Sequence, residues 1–189
     1  KKNNLFVIGG CEINTQEEVH CLAYFPDLEK LDEFQNFLDE HLPDIKNNPD
    51  IFGHQVAVDE DDYIIYEEEK ALIMALDIDI ESVSEKVLSM SGIFIPAHID
   101  RSKNSIFSQL GFIPFDLKYN ALEISWRTTV EKLTEKYPKL TGKRFILSSD
   151  AHYLEDIGKV YTWLKMEKPD WQNFVKEFWA KQRKETPNE

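Results

Sequence analysis

Short apolar runs alternate with amphipathic helical stretches through the second half of the sequence. Residues 93–98, 121–125 and 145–149 have the length and composition of buried strands, and residues 80–90 and 130–137 have helical patterns. A regular alternation of strands and helices is typical of α/β proteins with parallel strands. We therefore predict an α/β fold, and 189 residues with 42% hydrophobic side chains suffice for one globular domain with its own core.

The first half begins with two strands that we predict to be antiparallel. Residues 5–13 and 19–25 are apolar runs, and the linker between them is about five residues, whereas a parallel crossover needs about a dozen or more. The remaining elements are predicted as a helix over residues 27–42, a β-hairpin insertion near residues 55–66, a possible last strand at residues 161–164 and a closing helix from residue 170.

Metal-ligand side chains stand at the ends of four predicted strands. Asp150 and His152 follow the last long apolar run two residues apart, so an extended backbone would direct both side chains the same way. Glu12 and His20 share one end of the antiparallel pair, and His98 closes another strand. Three imidazoles and two carboxylates at one rim favour zinc, manganese or iron over calcium and magnesium, which prefer oxygen ligands.

The other histidines and both cysteines are predicted to lie outside this set. His41 closes an amphipathic helix, and His54 lies in a glycine-flanked loop. Cys11 and Cys21 each neighbour a proposed ligand, so strand alternation turns them toward the opposite face, where we expect core positions. Two cysteines make no disulfide framework, and no apolar run approaches the roughly 20 residues of a membrane span, so we expect a cytoplasmic protein.

Four short motifs resemble successive metal-ligand motifs of the PHP (polymerase and histidinol phosphatase) family, over residues 5–153. They are Gly10-Cys11-Glu12-Ile13, Val19-His20-Cys21-Leu22-Ala23-Tyr24-Phe25, Pro96-Ala97-His98 and Ser149-Asp150-Ala151-His152, in the family's order. The resemblance implies a distorted barrel of about seven βα units with roughly two or three divalent metal ions (Zn, Mn or Fe) at its rim. It also implies hydrolysis of phosphoesters by a metal-activated water.

The same resemblance implies roles for single residues. Glu12 would bridge two metal ions, and His20 and His98 would hold the cluster. Asp150 and His152 would complete it, and Glu12, Asp150 and His152 are the implied catalytic residues. Family members begin with an H-x-H strand, which nothing before Glu12 supplies. Residues 1–189 are therefore expected to form a single PHP-like domain that lacks its N-terminal strands, as the non-Met start favours, or else an incomplete relative of the family.

Charge bears on the choice of substrate. Asp and Glu total 35 against 22 Lys and Arg, and the formal charge of -13 repels nucleic acid and anionic membranes at long range. We therefore expect a small phosphate monoester or a short nucleotide as the substrate, with neither duplex nucleic acid nor a membrane as a partner. Arg101, three residues past His98, is the candidate substrate-binding residue, because a guanidinium clamps a phosphate with two hydrogen bonds.

Alternatives remain for several of these features. Arg101 could instead form a salt bridge to an acidic side chain, and Arg127 lies past another strand end with the same two possibilities. The acidic runs at residues 59–62 and 67–69 are typical of a solvated surface and could also supply extra ligands. The alternative to a phosphoesterase is a non-catalytic, metal-stabilised module that binds a ligand or a partner.

Overall fold

The computed structural model describes residues 5–179, so the predicted absence of N-terminal strands concerns a part of the protein outside the described residues. The strands are β1 (Gly10–Asn14), β2 (His20–Tyr24), β3 (Val56–Val58), β4 (Ile64–Glu67), β5 (Ile93–Pro96), β6 (Leu122–Ile124) and β7 (Phe145–Leu147). The helices are α1 (Leu28–His41), α2 (Pro49–Phe52), α3 (Ile80–Ser89), α4 (Ile106–Gln109), α5 (Val130–Lys136) and α6 (Trp171–Trp179), with 3-10 turns at Pro138–Leu140 and Leu154–Asp156.

The first sheet has the order β1-β2-β5, and both of its strand pairs are antiparallel. The predicted antiparallel pairing of the first two strands is confirmed. Glu12 lies opposite Leu22, and His20 is two residues from Leu22 along the same strand. Opposite residues, and residues two apart, share a face of the sheet, so the side chains of Glu12 and His20 project from the same side.

The other strands form two smaller sheets. β6 and β7 are parallel, as the α/β prediction requires, but β5 pairs antiparallel with β2. β5 and β6 also lie side by side, because Asn120 N donates to Phe94 O and Ile99 N donates to Glu123 O, each at 2.9 Å. Across residues 5–179 the sheets do not close into a barrel, so a mixed α/β fold is confirmed and the complete seven-unit barrel is not.

The β-hairpin predicted near residues 55–66 is present as β3 and β4, which pair antiparallel away from the other sheets. Every residue of the two strands is exposed, including Val58, Ile64 and Ile65. The hydrogen bonds between β3 and β4 hold the hairpin together, and the acidic turn that joins the two strands is exposed to solvent.

The core is divided between the two faces of the first sheet. Phe94 of β5 packs with Cys21, Val83 and Val87 in the larger cluster, whereas its neighbours Ile93 and Ile95 pack in a second cluster beneath α6. A strand that is buried on both faces has a continuous apolar sequence, which is what residues 93–96 show. The aromatic side chains of α6 that the structure describes therefore contribute to packing.

Residues 161–164, predicted as a possible last strand, form no strand. The Thr162 hydroxyl lies beside the edge of β7, where it accepts from Leu147 N at 2.6 Å and donates to Leu147 O at 2.8 Å. A single side chain thus occupies backbone groups of β7 that a further strand would pair with, which explains the wrong prediction.

Within residues 5–179, the helices are all too short or too polar to cross a membrane.

Candidate metal centre

Three of the predicted ligands meet at one end of the first sheet. His20 Nδ1 lies 3.2 Å from Glu12 Oε1, and His98 Nε2 lies 3.4 Å from the same oxygen. The two imidazole rings are edge to face, with centroids 5.3 Å apart. One ligand atom from each of the three residues can be chosen so that all lie within 4.8 Å of one another. A single ion could therefore contact two nitrogens and one carboxylate oxygen.

The local backbone explains this convergence. Glu12 is central in β1 and His20 is the first residue of β2, where its N–H donates to Asn104 O and its carbonyl accepts from Ala97 N, each at 2.9 Å. His98 follows β5 with a φ of 29°, in the left-handed region that non-glycine residues rarely adopt. The chain leaves the extended conformation at this residue, two positions after β5 ends, and the imidazole lies against Glu12.

The electrostatics of the group favour an anionic Glu12. Hydrogen bonds from His20, and then from His98, lower the pKa of Glu12 to about 2, against the opposing effect of its partial burial. His98 is only 4% exposed, and its Nδ1 atom is buried without a hydrogen-bond partner among the described residues. The atom that faces Glu12 is the other ring nitrogen, Nε2, and one carboxylate with two imidazoles is a donor set that fits a divalent transition metal.

A fourth residue, Glu123, was missed by the sequence reasoning. Its side chain on β6 is 4% exposed, and Oε2 accepts the backbone N–H of His98 at 2.9 Å, while Oε1 accepts from the Ser148 hydroxyl after β7. One buried carboxylate thus joins the ends of β5, β6 and β7. The available signal was an acidic residue within the otherwise apolar run at 121–125, because a buried carboxylate requires partners.

A second side chain supports the loop that follows β5. Asp100 accepts from Ser125 N at 2.7 Å through Oδ1 and from the Ser125 hydroxyl at 2.6 Å through Oδ2. Together with the Ile99–Glu123 backbone bond, these contacts hold the loop that carries His98 against the end of β6. These contacts hold the backbone on the C-terminal side of His98, where the left-handed conformation must be maintained.

Asp150 and His152 are not brought into the same group. Asp150 Oδ2 lies 2.5 Å from Arg101 Nη2. Arg101 therefore forms the salt bridge that was the alternative to its role in substrate binding. The His152 side chain is 75% exposed, and its Nδ1 contacts the carbonyl of Asp150 at 2.9 Å. Asp150 has a φ of 45°, so the extended conformation that would align both side chains does not persist through this segment. Their role as ligands stays a prediction.

The residues predicted to be bystanders lie elsewhere. His41 Nδ1 is 2.8 Å from Asp77 Oδ1, and His54 Nδ1 is 2.6 Å from Glu67 Oε1. Cys21 is buried in the main core and the half-buried Cys11 packs against it, on the face predicted for both. Burial raises the pKa of the Cys11 thiol to about 12 and that of Cys21 above its ordinary value, which disfavours thiolate ligation.

A comparison with known families tests the resemblance to the PHP family. Residues 132–182, which contain the last proposed motif, match a family model described as PHP-associated. The resemblance to the PHP family is confirmed. No curated protein matches the chain significantly.

Two solved structures share this PHP-like fold. The lesion-specific endonuclease PfuEndoQ from Pyrococcus furiosus superposes with a TM-score of 0.67 at 17% identity, covering 88% of this chain and 37% of that protein. Endonuclease Q bound to a 27-mer duplex with an abasic lesion at its active site superposes with a TM-score of 0.66 at 16% identity, covering 89% of this chain and 38% of that one. The chain therefore spans less than two fifths of the length of these structures.

The second of these structures corrects one expectation. The net charge argued for a small phosphorylated substrate and against duplex nucleic acid, yet a protein of similar fold holds a DNA duplex at its active site. The expectation was wrong because net charge governs long-range encounter, whereas contact with a phosphate depends on the field of nearby cations. A charge of -13 therefore does not exclude DNA from this fold.

Proposed function

We propose that this chain carries the metal-binding site of a phosphoesterase that cleaves DNA. The observation that carries the proposal is the convergence of Glu12, His20 and His98, whose ligand atoms lie within 4.8 Å of one another. Zinc, manganese or iron suits this mixture of nitrogen and oxygen donors. A divalent cation bound there would supply Lewis-acid activation of water and neutralise charge on the phosphate.

The proposed roles of the protein groups follow from their surroundings. Glu12, His20 and His98 would hold the cation, and Glu12 is already anionic in its absence because hydrogen bonds from the two histidines lower its pKa to about 2. Asp150 and His152 would complete the ligand set in a state where the Asp150 carboxylate is no longer paired with Arg101. Arg101 is then available to bind a phosphate oxygen of the substrate.

The substrate that we propose is a DNA strand at a lesion. This rests on the two neighbours of similar fold, one described as a lesion-specific endonuclease and the other holding an abasic duplex. Because the chain spans only 37% and 38% of those proteins, the proposal concerns the metal-binding portion of such an activity.

Metal titration and strand cleavage test the proposal together. Calorimetric titration with Mn²⁺ or Zn²⁺ should show binding that Glu12→Gln and His98→Ala weaken by at least about tenfold, while His54→Ala, a surface control, leaves it unchanged. An end-labelled duplex with one abasic site should be cleaved only in the presence of metal. Metal affinity that is unchanged in His98→Ala would refute the site. Metal binding without cleavage would leave the non-catalytic module as the function.

A further inference from the structure

An exposed aromatic side chain and an arginine follow β6 as a stacked pair. Trp126 is 64% exposed, and the guanidinium carbon of Arg127 lies 4.8 Å from the centroid of its ring. Across residues 5–179, no carboxylate forms an ion pair with Arg127. A cation–π contact thus holds the Arg127 cation beside the indole, while much of the ring faces solvent.

Hydrogen bonds connect this pair to the candidate metal centre. Arg127 N donates to the Ser125 hydroxyl at 3.2 Å, and that hydroxyl donates to Asp100 at 2.6 Å. Asp100 is two residues past His98 on the same loop. Ser125, the residue before Trp126, therefore bonds the loop that carries His98 and also the backbone of Arg127.

The chemistry of the pair indicates its ligand. In a chain with 35 acidic and 22 basic residues, a guanidinium without a carboxylate partner is available to an external anion. An exposed indole offers a flat apolar surface, on which a nucleobase can stack when it is not held in a base-paired stack. A planar base beside a phosphate satisfies both groups at once.

We propose that Trp126 stacks on an unpaired nucleobase next to the cleaved position and that Arg127 binds the adjoining phosphate. This assignment rests on the proposed function, because it takes DNA as the substrate. On this proposal, Trp126 distinguishes a disrupted duplex from a fully paired one. Arg127 contacts the phosphate of either duplex and does not distinguish them.

The test is a binding measurement without metal, so that it does not depend on catalysis. The probes are two duplexes in EDTA, one fully paired and one with an abasic-site analogue opposite 2-aminopurine, whose fluorescence falls on stacking. Trp126→Ala should weaken binding of the abasic duplex by about tenfold, the factor that about 1.4 kcal/mol of stacking represents, and should abolish the quenching. Trp126→Phe should largely restore both, and Trp163→Ala, which removes another tryptophan that is 85% exposed, should change neither.

Arg127→Gln should instead weaken binding of both duplexes similarly and lower the slope of log affinity against log salt by about one. Equal affinity of wild type and Trp126→Ala for the abasic duplex, with quenching retained, would overturn the proposal while leaving the metal centre untouched. Binding that depends on Trp126, in a protein that does not cleave with metal, would instead remove the proposed catalysis and keep this contact. Failure of the wild type to bind either duplex would overturn the contact and the choice of DNA together.

Discussion

The backbone N–H of His98 donates to Glu123 Oε2 at 2.9 Å, so a carboxylate on β6 fixes the backbone of a proposed ligand that follows β5. The other oxygen of Glu123 accepts from Ser148, just before the segment that carries Asp150. Glu123 is thus a positioning residue for two parts of the proposed ligand set.

Substitution of Glu123 should therefore weaken metal binding although the side chain is not a proposed ligand. Glu123→Ala leaves the His98 N–H buried without an acceptor and should lower Mn²⁺ affinity by about 10- to 100-fold in calorimetry. Glu123→Gln keeps an acceptor and should have a smaller effect. Glu85→Ala, at an exposed ion pair with Lys118, is the control. Unchanged affinity in Glu123→Ala would contradict the positioning role.

Arg101 and Asp150 provide a second prediction. If Asp150 becomes a ligand, it must first leave the guanidinium 2.5 Å away, so Arg101→Gln should raise Mn²⁺ affinity by about two- to fivefold, the range of a partly exposed ion pair. The same variant should bind DNA more weakly at its phosphates. A lower metal affinity in Arg101→Gln would instead show that the ion pair supports the metal centre.

The two glycines before Glu12 are not equivalent. A Cβ at Gly10 would collide with the Ala23 carbonyl oxygen and lie 3.3 Å from the Tyr24 Cα, both backbone atoms, whereas a Cβ at Gly9 would meet the flexible end of Leu31 at 3.1 Å. Gly10→Ala should lower the free energy of unfolding by about 1–3 kcal/mol in urea titration, with a smaller loss for Gly9→Ala. Equal losses would mean that the β1–β2 pair can shift to accept the methyl group.

The half-buried thiol of Cys11 and the buried thiol of Cys21 give a prediction about pH. The pKa of Cys11 is raised from 9.0 to about 12, so its thiolate fraction near pH 8 is about a thousandfold lower than that of an unfolded chain. Iodoacetamide should label the native protein very slowly and the urea-unfolded protein at both cysteines, as mass spectrometry would show. Because the folded state keeps protons that the unfolded state loses between these pKa values, stability should fall as pH rises from 9 toward 12. Rapid labelling of native Cys11 would contradict the raised pKa of its thiol.

Much of the fold, and the convergence of Glu12, His20 and His98 in the candidate site, were predictable because they depend on local rules. Linker length gave the β1–β2 pairing, and alternation then separated Glu12 and His20 from the core cysteines. The end of the apolar run gave His98. These features need only the period of a strand and the length of a loop.

The remainder depends on contacts between distant residues. The resemblance implies Asp150 and His152 as ligands, but their positions follow from a left-handed backbone and from an ion pair with Arg101, 49 positions away in the sequence. Residues 161–164 have a strand-like composition, yet the Thr162 hydroxyl makes hydrogen bonds to Leu147 in place of the backbone bonds of a paired strand. Neither outcome is encoded in a local pattern.

The division of the strands among separate sheets has a mechanical consequence. Glu12, His20 and His98 belong to the sheet of β1, β2 and β5, whereas Asp150 and His152 follow β7 in another sheet. Bonds near the strand ends, several of them from Glu123 and Asp100, couple the two sheets. The spacing of the two halves of the proposed ligand set is therefore determined by these contacts at the strand ends, both backbone bonds and side chains, and not by one continuous β-ladder.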